Sequence, residues 1–152
     1  MSADARIAEL GLDLPTAPKP VGNYVSAVRV GDLLFLSGCG PRRADNSSIT
    51  GKVGRDLTLE EGYDAARLVG LNMLAILRAQ LGSLDRVRQV VKVLGMVNAE
   101  PEFTEQPKVI NGFSDLLVEV FGDAGRGARS AVGMGSLPFQ IAVEVEMIVQ
   151  VE

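Results

Sequence analysis

A chain of 152 residues, 47% hydrophobic and 22% charged, has the size and balance of one globular domain able to support its own core. Its net charge of −4, with Lys and Arg scattered along the chain, weighs against a dedicated nucleic-acid binder, which needs a basic surface to neutralise phosphates. There is no histidine and one cysteine, Cys39, which excludes imidazole acid–base pairs, Ser-His-Asp and Cys-His systems, an intrachain disulfide, and His- or thiolate-ligated metal centres within one chain.

Residues 1–20 read as an N-terminal extension to a single domain spanning 1–152. Within it, residues 1–12 predict a short helix opened by Ser2 and stopped near Gly11, and Pro15, Pro18 and Pro20 then impose an extended lead-in. No charged-then-apolar leader opens the chain, no apolar run approaches the roughly 18 residues of a membrane span, and a lone thiol suits a reducing compartment. A soluble, cytoplasmic protein is the expectation.

Strands are predicted at Tyr24–Val30 and Leu33–Ser37, joined by a tight turn at Gly31-Asp32. Leu33–Leu36 is apolar throughout, the pattern of a strand covered on both faces. Residues 38–56, with Gly38, Gly40, Pro41, Asn46, Gly51 and Gly54, predict a loop long enough to imply function or mobility. The pairs Arg42/Arg43 and Arg86/Arg88 read as solvated surface charge.

Thr58-Leu59-Glu60-Glu61 is a capping box, and the helix it opens runs to Leu81 with an apolar stripe over Leu68, Leu71 and Ala75, flanked by Leu74, Leu77 and Leu81. Gly82 stops it. Valine-rich residues 87–97 predict a strand, and Pro107 suits the first turn of a second helix ending near Phe121. A strand over Arg129–Met134 follows, and the alternation over Phe139–Val151 predicts the last one.

Two helices cannot cover both faces of so large a sheet. One face must meet water or another copy, and strands apolar on both sides favour a second copy, with assembly through the sheet.

The sequence itself carries a family resemblance. Tyr24 with Ser26-Ala27-Val28, then Gly31-Asp32-Leu33-Leu34-Phe35-Leu36-Ser37-Gly38, resembles the opening of the RidA/YjgF family. Val90-Val91-Lys92-Val93 resembles its central strand, and Val109-Ile110-Asn111 the start of its second helix. Ala128-Arg129-Ser130-Ala131-Val132, then Leu137-Pro138 and Val143-Glu144-Val145-Glu146, resemble its C-terminal motif. The longer segments 38–56 and 98–108 point to the endoribonuclease L-PSP-like branch.

The resemblance implies an α+β, chorismate-mutase-like fold: a mixed sheet with two helices packed on one face, and a homotrimer with a β-barrel core and sites in clefts between copies. It implies hydrolysis of 2-imino or 2-enamino acids to 2-keto acids and ammonia. Arg129 would grip the substrate carboxylate, for which a planar guanidinium offers a two-pronged fork, and Glu144 would position the water. Tyr24, Gly38, Asn111 and Ala131 would line the pocket. No metal or organic cofactor is implied; the partners are a small carboxylate-bearing substrate and copies of the chain itself.

Taken alone, an arginine opening a strand is an ordinary surface or ion-pair residue, Tyr24 a packing residue and Asn111 a helix-start hydrogen bonder; the motif singles them out. The chain departs from the family at Gly127, commonly proline, at Cys39, commonly glutamine, and at Ala131, commonly cysteine. No neighbour in sequence marks Cys39 for a lowered pKa, so an inert or incidentally reactive thiol is expected rather than a nucleophile. The alternatives are an endoribonuclease, disfavoured by the acidic charge and the missing histidine, and a non-catalytic trimer that binds small carboxylates.

Overall fold

The computed structural model describes residues 1–152. Three helices, α1 (Ala3–Glu9), α2 (Leu59–Leu81) and α3 (Gln106–Phe121), accompany five strands, β1 (Ala27–Val30), β2 (Leu33–Cys39), β3 (Val87–Asn98), β4 (Ala128–Met134) and β5 (Val143–Val151). The strands form one sheet in the order β1-β2-β5-β3-β4, in which only the β3–β4 pair is parallel, as a crossover through α3 requires.

Local chemistry sets the helix ends. The Thr58 hydroxyl accepts from the Glu61 amide at 3.1 Å while the Glu61 carboxylate accepts from the Thr58 amide at 2.9 Å, closing the capping box. Gly82 ends α2 in the left-handed conformation, and Pro107 lies in the first turn of α3. Ser2 caps α1, and Asp4 anchors it by accepting from Ser83 Oγ at 2.5 Å, the Leu84 amide at 3.2 Å and Arg78 at 3.0 Å.

Helices α2 and α3 cover one face of the sheet. Val145, Met147 and Val149 of β5, Val90, Val93 and Val97 of β3, and Leu34 and Leu36 of β2 are buried beneath Val69, Met73, Leu77, Phe113, Leu116 and Leu117. The helices cross closely enough that a Cβ added to Gly112 would lie 2.0 Å from the Tyr63 carbonyl oxygen. The other face carries Phe35, Leu94, Val132, Ile148, Glu144 and Glu146 and has no helix over it. Phe35 remains 41% exposed there. At one end the turn 135–141 folds across this face, so that Leu137 and Ile141 bury Met96 in a small second cluster.

Several expectations need correction. The last strand begins at Val143 rather than Phe139, because Phe139 and Gln140 both adopt positive φ (56° each) and interrupt the extended chain. The first strand is limited to Ala27–Val30. Within one chain β2 is covered on one face only. The buried ridge of α2 runs through Ala66, Val69, Met73 and Leu77, with Leu68 and Leu71 only partly buried. Residues 38–56 are not loosely attached: isolated bridges join Arg42 to Ser48, Thr50 to Ile141 and Val53 to Ala99, and Val53 is fully buried. Nor is Arg42 simply solvated, since it donates to the Thr16 carbonyl at 2.9 Å and to Asn46 Oδ1 at 3.0 Å, pinning the lead-in.

Candidate functional site

The six residues singled out by sequence separate into two groups at opposite sides of the sheet. Tyr24, Gly38 and Glu144 line one cleft of about 620 Å³, together with Ser37, Glu146 and Phe139. Arg129, Asn111 and Ala131 lie on or beside β4, the far edge strand, and none of them lines that cleft.

The first group depends on an irregularity in β2. The β2–β5 register shifts between Leu36 and Cys39, which turns Gly38 toward Glu144. A Cβ at position 38 would sit 3.0 Å from the Glu144 carboxyl carbon and its Oε1, so glycine is the residue that leaves the carboxylate its place. Beyond it, Ser37 donates its hydroxyl to the Val25 carbonyl at 2.7 Å and its amide to the Ser26 carbonyl at 2.9 Å. These bonds hold the segment bearing Tyr24 against the cleft. The Tyr24 hydroxyl accepts from the Val21 amide at 3.4 Å.

Burial pushes the Glu144 carboxyl above the ordinary glutamate range, and the neighbouring Glu146 charge adds to the rise. Neither glutamate belongs to an ion pair. Cys39 faces the core, and burial raises its thiol to about 12, with Arg42 opposing and Glu144 reinforcing the rise. It is therefore a neutral, inert thiol.

The second group is built on the first turns of α3. Arg129 is the second residue of β4, opposite Val93, and its side chain reaches across to the helix. Nη1 donates to Asn111 Oδ1 at 2.8 Å and to Ser114 Oγ at 3.1 Å, and Nη2 donates to the Pro107 carbonyl at 3.4 Å. All three acceptors are neutral, and Arg129 takes part in no salt bridge. Of its five N–H donors the Nε–H and one Nη2–H remain without a partner, the pair that a carboxylate engages side-on. Ala131 follows two residues along the same face, paired with Gly95.

Sequence reasoning missed Ser114, although it lies one helical turn after Asn111 and therefore on the same face. It also missed Phe139, whose exposure depends on a turn that no strand pattern shows.

A mixed five-stranded sheet under two helices, with a carboxylate cleft at one side and an unpaired guanidinium at the other, defines an α+β protein of the chorismate-mutase-like class. Comparison with known proteins narrows this to a family. The family model described as "YjgF/chorismate_mutase-like, putative endoribonuclease" matches residues 4–150, and the chain belongs to that YjgF/RidA family. Among its relatives, protein TCP17 of Trypanosoma cruzi is 47% identical over 96% of this chain and 92% of its own. A Dermatophagoides farinae protein named 2-iminobutanoate/2-iminopropanoate deaminase is 32% identical over 93% of this chain and 95% of its own. The crystal structure of a Shewanella oneidensis protein described as a "putative endoribonuclease" superposes with a TM-score of 0.95 at 34% identity, covering 99% of this chain and all of that one.

Proposed function

We propose that the protein is a hydrolytic deaminase of reactive 2-imino and 2-enamino acids, working as a homotrimer in which the Arg129 group of one copy faces the Glu144 cleft of its neighbour. The observation that carries this reading is the state of Arg129: a guanidinium oriented by three neutral oxygens, with no carboxylate of its own chain and two donors left over. A free edge of that kind suits an organic carboxylate. The similarity to a relative named as a 2-iminobutanoate/2-iminopropanoate deaminase supports the same chemistry.

The chemistry asks little of the protein. The C=N carbon of a protonated imine is electrophilic, and water attacks it unaided. Ionised Glu144, beside Gly38, takes a proton from the attacking water as the C–O bond forms and the C=N electrons move to nitrogen. Glu144 returns that proton to the nitrogen of the resulting tetrahedral aminoalcohol, the C–N bond breaks, and ammonia leaves as the hydroxyl gives its proton back to the Glu144 carboxylate and the carbonyl forms. Burial and the Glu146 charge make Glu144 a stronger base for that transfer than an ordinary carboxylate. Arg129 holds the substrate by its carboxylate so that the imine carbon meets this water, a contribution of position rather than of a covalent step.

The test is production of pyruvate and ammonia from 2-iminopropanoate generated in situ. Wild type should exceed the buffer rate, and Arg129→Ala should lose about tenfold to a few hundredfold in kcat/KM, the worth of one charge-assisted hydrogen-bonded contact. Equal rates for wild type, variant and buffer would remove the assignment. RNA cleavage is the other activity the family description suggests, but the net charge of −4 and the absence of histidine oppose it. Binding of a small keto acid without turnover would instead make the cleft a sensor.

A further inference from the structure

Phe139 is 82% exposed and forms part of the wall of the Glu144 cleft. Its backbone is left-handed (φ 56°, ψ 18°), and so is that of Gln140 (φ 56°). Two consecutive residues with side chains rarely adopt this conformation, and it persists only where the surroundings over-determine it.

A hydrogen-bonded strut through the buried Asn98 does so here. The Gln140 carbonyl accepts from the Gly51 amide at 2.9 Å, and its side-chain Oε1 accepts from Asn98 Nδ2 at 3.2 Å. Asn98 has no exposed surface, and its Oδ1 accepts from Lys52 Nζ at 2.8 Å. The same ammonium donates to the Gly135 carbonyl at 2.5 Å and takes part in no ion pair. Asn98 is itself fixed at both ends, its amide donating to the Ala142 carbonyl at 2.9 Å and its carbonyl accepting from the Val53 amide at 2.8 Å. Segment 38–56 thus buttresses the turn 135–141 from behind, and the outcome is one aromatic ring held out over the cleft.

We propose that Phe139 determines substrate specificity: its ring is the wall against which the substrate side chain packs, and the preferred substrates are 2-imino acids with apolar side chains larger than methyl. This rests on the deaminase reading above. The polar end of the cleft, at Gly38 and Glu144, is where imine and water meet. Val21, Tyr24, Pro138 and Ile141 add apolar lining to the same cleft as Phe139. A side chain projecting from the imine carbon toward that surface loses water-exposed apolar area, which is how hydrophobic pockets discriminate by size.

The experiment compares kcat/KM of the full chain for 2-imino-4-methylpentanoate and 2-iminopropanoate, generated in situ from leucine and alanine by an amino-acid oxidase. Wild type should favour the larger imine by about tenfold or more, the discrimination an apolar wall gives for added methylenes. Phe139→Ala should bring that ratio down by about tenfold, mainly through KM, while Phe139→Tyr keeps it. Lys52→Gln, which cuts the strut without touching the ring, should lower the ratio in the same direction. An unchanged ratio in Phe139→Ala would overturn the proposal. So would an equal fall for both imines accompanied by a change in oligomeric state, because Phe139 would then be a contact between copies. Failure of the deaminase reading appears differently, as no imine loss above buffer by wild type. Calorimetric binding of 4-methyl-2-oxopentanoate against pyruvate then decides: a wild-type preference lost in Phe139→Ala sustains the wall, and no preference in wild type ends it.

Discussion

Arg129→Ala and Glu144→Gln, each strongly impaired alone, should recover activity when combined in one assembly. The geometry of a single chain requires it. Arg129 pairs with Val93, and Val93 pairs with Met147, so these three residues lie in one row across β4, β3 and β5. Two strand spacings separate Arg129 from Met147, about 10 Å, and Glu144 lies three residues further along β5, about another 10 Å. The α-carbons are therefore roughly 14 Å apart, and the side chains leave opposite faces of the sheet. A three- or four-carbon acid cannot touch both, so the proposed site takes its arginine and its glutamate from different copies. If the two variants mix at random in equal amounts, half of the arginine groups and half of the cleft groups are intact. About a quarter of the shared sites then hold both, and about a quarter of wild-type activity should return in any closed ring of copies. Co-expression with two different affinity tags would supply the mixed assemblies, native mass spectrometry would verify them, and 2-iminopropanoate turnover would read the sites. Verified mixed assemblies no more active than either parent would refute the shared site.

Glu144 must be ionised to act as base, so activity should fall as pH drops through its raised pKa; Glu146→Gln, by removing the neighbouring charge, should move that acid limb to lower pH. The same rise has a stability sign: the fold favours the protonated form, so Glu144→Gln should raise the melting temperature at pH 7, and the gain should vanish below about pH 4.5, where glutamate is protonated folded or unfolded. Gly112→Ala places a Cβ 2.0 Å from the Tyr63 carbonyl oxygen, backbone that no rotamer change relieves; a loss of about 3 kcal/mol, or roughly 6–12 °C by calorimetry, should outweigh the helix-propensity gain of about 1 kcal/mol, and an unchanged melting temperature would contradict that close crossing.

Where sequence and structure agree, local chemistry and tertiary packing ask for the same thing. Thr58 and Glu61 close their own box, Gly82 supplies the left-handed stop and Pro107 opens α3, none of which needs a distant residue. The discrepancies arise where distant contacts decide. Alternation from Phe139 to Val151 is real as a pattern. The chain nevertheless leaves the extended conformation at 139–140, because Gly51 and Asn98, far away in sequence, capture Gln140. The breadth of burial on α2 has a similar cause: Arg42 tethers the lead-in at Thr16, while Asn72, fully buried on the helix, donates to the Arg42 carbonyl at 2.9 Å. A side of the helix that an isolated pattern would assign to water is thereby covered.

The resemblance marks candidate residues and a cleft between copies, while the separation of Arg129 from Glu144 within one chain comes only from the fold. A motif can mark Arg129 and Glu144 without saying that their own chain keeps them apart, since sheet order and face are products of the whole fold. Electrostatics then suggests why they are kept apart. The chain makes eight ion pairs, yet it leaves out Arg129, Glu144 and Glu146. The edge strand β4 carries a partly buried positive charge with only neutral partners, and the central strand β5 carries two carboxylates on the opposite face, one of them forced upward in pKa by burial. Each is unfavourable alone and complementary to the other. In the proposed shared site the substrate carboxylate meets Arg129 while Glu144 faces the imine carbon, so the guanidinium is neutralised by the ligand and the base keeps the proton affinity that burial and Glu146 give it.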